Sequence, residues 1–411
     1  MSNQAADGGV HGLAMEVDRR DLRSTRLAGA DLAPPRDGEV LFEVERFAFS
    51  ANNITYARLG EAMRYWDLFP AADGWGQVPV WGYLRAVSSA VPGITPGRRA
   101  FGLCPMATHV LMRPRHAEGA TFTEGSAHRA GLSSAYNVYP WADGDPGGGA
   151  GRDPGGDPGR DPGRSRDAAD VLMVLRPLFW LSYTLDDYLA ERFGGDAAVV
   201  VTSASSKAAI GLARLLSRRG VTVTGLTSAR HAAFVTGLSL YDQVLAYEET
   251  GKLALTRSVL ADLAGDGALR DRIGRQLGTA LAEVVVAGGT HPGSGSTHSG
   301  NRSTHSGNRS AHSGNGSAHS DNGSADSAPD SGITRRFFAP QRIRERSREW
   351  GWPVLEQRFA AALQGFADSA ASWLRLEYAR GVDGAAEVYR QVLGNAAAPA
   401  AAHVIDMTGG R

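Results

Sequence analysis

The segment Ala197 to Ser228, AAVVVTSASSKAAIGLARLLSRRGVTVTGLTS, constrains this chain most, because its apolar pattern changes period twice within one short run. Ala197 to Thr202 is continuously apolar and β-branched, the pattern of a parallel strand buried on both faces. Small residues Ser203 to Ser206 interrupt it. From Lys207 the apolar positions Ile210, Ala213, Leu215 and Leu216 recur at helical spacing until Arg218-Arg219-Gly220, where basic residues suit the negative helix end and glycine stops it. Val221 to Leu226 reads as a second strand. The result is a βαβ unit whose turn offers backbone N–H groups and a helix N-terminus to an anion such as a pyrophosphate.

That turn lacks the usual glycines, since Ser203, Ser206 and Ala209 stand nearest the places where they serve. Serine hydroxyls and the charge of Lys207 can serve phosphate oxygens, so Ser203, Ser205, Ser206 and Lys207 are the expected phosphate ligands, with a ligand-free βαβ unit as the alternative. After the second strand no acid holds ribose hydroxyls. Instead Thr227, Ser228 and Arg230 offer hydroxyls and a guanidinium, which favours NADPH over NADH; the alternative is that Arg230 only caps a surface turn. Strands at Gln243–Tyr247, Ser258–Leu263 and Ala282–Ala287 alternate with helices at His231–Ser239 and Ala268–Leu277, the order of an open parallel sheet wrapped on both faces. Ligands on such sheets lie beyond the carboxyl ends of the strands, which adds Tyr247, Gly288 and Thr290 to the cofactor set.

A chain of 411 residues suggests two domains, each able to bury a core. Basic and acidic residues both number 43, leaving no electrostatic footprint for nucleic acid or an anionic membrane. Only Lys207 and Lys252 among the basic residues are lysines. A single cysteine, Cys104, excludes an internal disulfide framework and suits a reducing cytosol. The longest apolar stretch, Val171 to Leu181, contains Arg176 and Pro177 and is too short for a bilayer, so a soluble cytoplasmic protein is expected. Two segments are low in complexity: 143–168, with its Asp-Pro-Gly repeats, and 291–332, with His298, His305, His312 and His319 at regular spacing. Neither holds enough apolar surface to order itself, so both are expected to be disordered; the spaced histidines are more readily a solvated insertion than a metal site.

The first part of the chain has a different grain, with strands at Glu39–Phe47 and Val78–Val87 and turn signals at Val91-Pro92-Gly93 and Thr95-Pro96-Gly97. These, with Ser50–Tyr56, Leu59-Gly60 and Ile94–Gly102, resemble the GroES-like barrel of the medium-chain dehydrogenase/reductases. The nucleotide half matches in order, and Trp373–Tyr378, a helix at Gly384–Leu393 and Val404–Asp406 resemble the segment that returns to the first domain. Through Asn52–Phe69, Trp75–Tyr83 and Val199–Leu212 the chain is most similar to a bacterial family known only as a domain of unknown function, which brings no assigned activity. The resemblance implies an α/β architecture: a GroES-like β-rich barrel over 11–142 and 367–411, and a doubly wound Rossmann domain over 169–290 and 333–366.

Zinc chemistry needs three or four clustered ligands, which one cysteine and a lone Cys104/His109 pair do not supply, so the chain looks like the zinc-free quinone- and enoyl-reductase branch. That resemblance implies NADP(H)-dependent hydride transfer to an α,β-unsaturated carbonyl or quinone-like small molecule. By position Asn52 or Asn53 would bond the carbonyl and Tyr56 or Tyr65 would donate a proton, with Tyr65, Trp66, Phe69 and Trp75 walling the pocket. The competing reading makes the aromatics packing and the asparagines turn caps. A non-catalytic NADP-binding sensor or interaction protein is the second functional reading, and dimers common in the superfamily leave a homodimer open.

Overall fold

The computed structural model describes residues 10–143, 162–287 and 332–408. Gly288, Thr290, the histidine-spaced insertion and most of the Asp-Pro-Gly segment lie outside the described residues. The first part runs β1 (Val10–Asp18), β2 (Thr25–Leu32), β3 (Val40–Phe49), α1 (Ala51–Arg58), β4 (Trp75–Gly76), β5 (Pro79–Ser89), β6 (Arg99–Pro105), β7 (His109–Met112), β8 (Pro114–Arg115), β9 (Thr121–Glu124) and β10 (Val138–Pro140). The second runs α2 (Pro162–Phe193), β11 (Ala198–Thr202), α3 (Lys207–Arg218), β12 (Val223–Thr227), α4 (Ala232–Gly237), β13 (Gln243–Ala246), β14 (Ser258–Asp262), α5 (Gly267–Leu277), β15 (Leu281–Val286) and β16 (Thr334–Arg336). Helices α6 (Ala339–Trp350) and α7 (Trp352–Ala370) follow, then β17 (Arg375–Arg380), α8 (Gly381–Leu393) and β18 (Ala401–Asp406).

The barrel side rests on a sheet of order β17-β18-β3-β5-β6, with β7 also paired to β3. The last two strands of the chain thus complete the sheet begun by β3, because β18 pairs antiparallel with it and sets His403 opposite Phe49. Phe42, Phe47, Phe122, Tyr139 and Tyr389 fill the interior, and the Phe122 and Tyr139 rings stack at 4.9 Å. Gly102 is required where the Tyr139 ring lies: a Cβ built there would sit 2.2 Å from it.

The nucleotide side is a six-stranded sheet of order β13-β12-β11-β14-β15-β16, every pairing parallel. Its central strand is apolar at successive positions because helices cover both faces, and Val199, Val200 and Val201 are all buried. Helix α3 packs on α2 across Gly211, and the Ser182 hydroxyl of α2 donates to the Ala208 carbonyl at 2.7 Å.

Helix α2 corrects two expectations. It opens at Pro162, inside the stretch read as linker, and it carries the apolar run Val171–Leu181 well beyond that run's own length. By length and composition Arg166–Phe193 could cross a bilayer, yet half of its apolar window is buried inside the protein. Met173, Val174, Leu175, Phe179, Leu185 and Leu189 form that buried face. Its start also ties the two domains together: Asp170, fully buried, pairs with Arg46 of β3 at 2.6 Å, and Arg166 pairs with Asp406 of β18 at 2.5 Å. Further along, Asp187 accepts from Arg342 and Arg346 of α6, two guanidiniums on one carboxylate.

Candidate functional site

The carboxyl ends of the parallel strands are held by a buried polar knot. Thr202, last residue of β11, donates from Oγ1 to Asp262 Oδ1 at 2.8 Å and accepts from the Leu263 and Ala264 amides at 3.0 Å. Asp262 also accepts from the Ala264 and Gly265 amides, and its second oxygen accepts from Arg270 at 2.7 Å. Thr202 and Asp262 are fully buried, so the knot fixes where β11 and β14 end and where the next loop begins.

In that loop Ser203 adopts a left-handed backbone, φ 55°, the conformation a glycine would supply. The chain therefore makes the tight turn without the residue that makes it easy, at a cost of about 1 kcal/mol. Ser206 caps α3, its hydroxyl accepting from the Ala209 amide at 3.2 Å. The Tyr247 hydroxyl, just past β13, hydrogen-bonds Ser203, and burial raises its pKa. Tyr241 donates to the Ala204 carbonyl at 2.8 Å, and Ser205 Oγ lies 3.2 Å from His231 Nδ1. The serine loop is thus braced by the two tyrosines that flank β13 and by His231 after β12.

At the end of β12 stand the hydroxyls of Thr227 and Ser228. Both are buried without a hydrogen-bond partner, the two hydroxyls left so among the described residues. A buried hydroxyl with no partner costs about 1–3 kcal/mol, so this pair asks for a ligand. Arg230 is exposed and donates to the Asn395 carbonyl at 3.1 Å.

Two of the residues named from sequence have other work. Lys207 does not turn toward phosphate: its Nζ donates to the Ala401 carbonyl at 2.6 Å and the Pro399 carbonyl at 3.4 Å, on the barrel side. Desolvation pulls its pKa down to about 8, against an opposing pull from Glu377. Asn53 is buried and spent on the N-terminus of α1: its Oδ1 accepts from the Ser50 amide at 2.8 Å and its Nδ2 donates to the Pro79 carbonyl at 2.9 Å. It is a cap rather than a carbonyl ligand.

Asn52 lines a cavity of about 10 Å³ between the domains, with Ser50 and Trp81 from the barrel and Val174, Pro177 and Leu178 from α2. The Tyr56 hydroxyl accepts from Trp81 Nε1 at 3.4 Å. Tyr65 is buried, with its hydroxyl 3.1 Å from that of Tyr136, and desolvation holds its pKa far above the ordinary phenol value. Tyr56, Tyr65 and Tyr136 meet edge to face as one cluster. The structure brings Asn52 and Tyr56 to the domain boundary and sets Tyr65 behind them. The aromatic wall is corrected: Trp66 is sandwiched between Gly60 and Gly76, Phe69 lies under Arg129, and Trp75 lies under Arg26, all as barrel packing.

Sequence reading missed Tyr136, Glu377 and His403. His403 is buried, its Nδ1 lies 3.4 Å from Glu377 Oε2, and its Nε2 has no partner. The signal was available, since His403 interrupts the otherwise apolar run Ala401 to Ile405 of β18. Cys104 is buried in β6, and burial raises its thiol pKa. No group of three or more His, Cys, Asp or Glu side chains able to hold a metal occurs among the described residues.

A barrel closed by C-terminal strands, joined to a six-stranded parallel sheet in this order, is the fold of the medium-chain dehydrogenases and reductases. The chain is similar in structure to CurA from Vibrio vulnificus, at 11% identity and TM-score 0.57, over 97% of this chain and 100% of that one. CurA from Vibrio vulnificus solved in complex with NADPH matches equally, at 11% identity and TM-score 0.57 over 97% of this chain and 100% of that one. A thermostable alcohol dehydrogenase from Pyrobaculum aerophilum matches at 13% identity and TM-score 0.50 over 97% and 100%. No curated protein sequence matches significantly. By sequence the chain belongs to the family described as Protein of unknown function (DUF2855), whose model matches residues 47–398.

Proposed function

We propose that this protein is a zinc-independent oxidoreductase that binds NADPH at the head of its parallel sheet and reduces an α,β-unsaturated carbonyl or quinone-like small molecule. The observation that carries the reading is the pair of buried, unpartnered hydroxyls on Thr227 and Ser228, beside a serine loop already turned as a phosphate-gripping loop turns. The fold shared with CurA, which has been solved with NADPH, supports it. When bound, NADPH supplies the hydride.

The residues present fit the cofactor. Ser203, Ser205 and Ser206 would face the pyrophosphate with the first amides of α3, and Thr227 and Ser228 would hold the adenosine ribose. Arg230, exposed at the same strand end, would swing from its Asn395 contact to a 2′-phosphate, and Tyr247 would brace the loop from the β13 side. Asn52, which lines the small cavity between α2 and the barrel, and Tyr56 behind Trp81 would orient the substrate at the domain boundary. A balanced charge and buried apolar helices accord with a soluble, cytoplasmic enzyme.

The serines that stand in place of the turn glycines, with Ser203 at φ 55°, favour a second reading, a protein that holds NADPH without turning it over. Calorimetric titration of NADPH and NADH against wild type, T227V, S228A and R230A decides the cofactor assignment. Preference for NADPH, weakened about tenfold by each hydroxyl loss and shifted toward NADH by R230A, is the expected result. Absence of binding by either cofactor refutes it, and binding without oxidation over a panel of enones, quinones and aldehydes selects the second reading.

A further inference from the structure

We propose a second binding site, for a small organic anion that carries a carboxylate or phosphate group on an apolar body, on the outer face of the barrel between Arg113, Arg115 and the segment 125–128. A cavity of about 440 Å³ opens there, lined by Glu39, Leu111, Arg113, Arg115 and the run Gly125 to His128. Small-molecule sites typically measure about 300–1,000 Å³, so the space suits a compact ligand. The site shares no residue with the serine loop or with the cavity lined by Asn52, and the proposal is independent of the cofactor assignment.

The chain builds both walls. Burial alternates along 111–115: Met112 and Pro114 are buried, while Leu111, Arg113 and Arg115 are exposed. Alternate residues of extended chain share a face about 7 Å apart, so one apolar side chain and two guanidiniums line the same wall. Val110, of the opposite parity, packs on the cluster of Tyr65 and Tyr136, and the wall therefore faces away from it. Glu124 fixes the opposite wall. It is buried, and its carboxylate accepts from the Arg113 amide at 2.8 Å and the Ser126 amide at 2.9 Å, which locks the turn to the strand that carries the arginines. Gly125 then lets the Arg115 stem lie across the turn, since a Cβ there would sit 2.4 Å from Arg115 Nε and 2.6 Å from its Cδ. At the far end of the segment the His128 ring hydrogen-bonds the backbone of Leu68.

The charges on the cavity do not cancel. Arg113 donates to Glu39 Oε1 at 2.6 Å, and the second oxygen of Glu39 accepts from the Arg36 amide at 2.9 Å, so that pair is anchored and neutral. Arg115 makes no ion pair among the described residues, which leaves one guanidinium fork of this cavity unanswered. A carboxylate or phosphate takes two parallel N–H bonds from such a fork, and the planar group is already positioned by its packing on Gly125. Leu111, 43% exposed beside it, offers apolar surface to the body of the ligand. The arrangement selects an anion by Arg115 and an apolar body by Leu111.

The test titrates the full chain, labelled at histidine, with phenyl phosphate, with benzoate and with benzamide as the uncharged control. The His128 ring signal, identified by its loss in H128Q, is expected to shift with at least one of the two anions and to stay in place with benzamide; the tighter anion identifies the head group. R115M, which keeps the stem and removes the fork, is expected to weaken that anion about tenfold or more in calorimetry. G125A keeps every charge but pushes the Arg115 stem aside, and is expected to weaken it about threefold or more. A His128 signal that neither anion moves overturns the proposal, as does benzamide binding as tightly as benzoate or R115M binding like wild type. Should R115M not fold, G125A decides, and unchanged affinity in it counts against the site. A wild type that binds an anion here and does not bind NADPH refutes the cofactor reading alone.

Discussion

Replacing Lys207 by methionine should erase a specific slope from the pH dependence of stability. The folded-state pKa of Lys207 is about 8 against an ordinary value of 10.5, lowered by desolvation. Below pH 8 both folded and unfolded chains hold the proton, and the buried ammonium carries its full desolvation cost. Between 8 and 10.5 the folded chain releases the proton while the unfolded chain keeps it, so the unfolded state binds more protons and stability rises with pH. The gap is equivalent to about 3 kcal/mol in full, of which about 2 kcal/mol is gained between pH 7 and 9.5. Urea unfolding of wild type and K207M at several pH values across that window isolates the component, because other titrating groups contribute alike to both proteins. Wild type should gain about 2 kcal/mol relative to the variant on going from pH 7 to 9.5. Parallel curves would show that the ammonium is solvated in the folded protein and that the desolvation argument is wrong.

Three further outcomes follow from the geometry. T227V replaces an unpartnered buried hydroxyl with a methyl of similar volume, so without cofactor it should stabilise the fold by about 1 kcal/mol in thermal melts, while weakening NADPH; destabilisation would reveal a partner for that hydroxyl. D262A strips the carboxylate from the knot at the strand ends, leaving the Thr202 hydroxyl proton and the Arg270 guanidinium without their acceptor, and should cost about 3 kcal/mol in denaturant titration. A loss below 1 kcal/mol would mean the knot is not what fixes the strand ends. G102A drives a methyl into the Tyr139 ring and should cost about 2–3 kcal/mol by the same measurement, with NADPH affinity unchanged because Gly102 packs on Tyr139 in the barrel core and not on the serine loop.

The two halves of the fold were legible for different reasons. The parallel sheet announced itself because strands buried on both faces must be apolar throughout, as Val199 to Val201 are, and because glycine and arginine mark the end of α3. The hairpin of β1 and β2 and helices α2, α6 and α7 escaped notice. In α2 the apolar residues cover several faces because it packs on α3, α7 and the barrel at once, so no single stripe stands out, and Pro177 reads as a breaker although the helix runs through it.

Local sequence determined what depends on near neighbours: the βαβ order, the serine loop with its cap, the absence of an acid after β12, and the strand that returns at the end of the chain. Only the tertiary structure decided what each polar side chain does there. Asn53 and Lys207 were both named for their chemistry, and each is set by a residue far along the chain, Pro79 for the one and Ala401 for the other. Side-chain roles are fixed by the acceptors that burial brings within reach, and those acceptors come from segments whose distance in sequence carries no trace of their proximity in space.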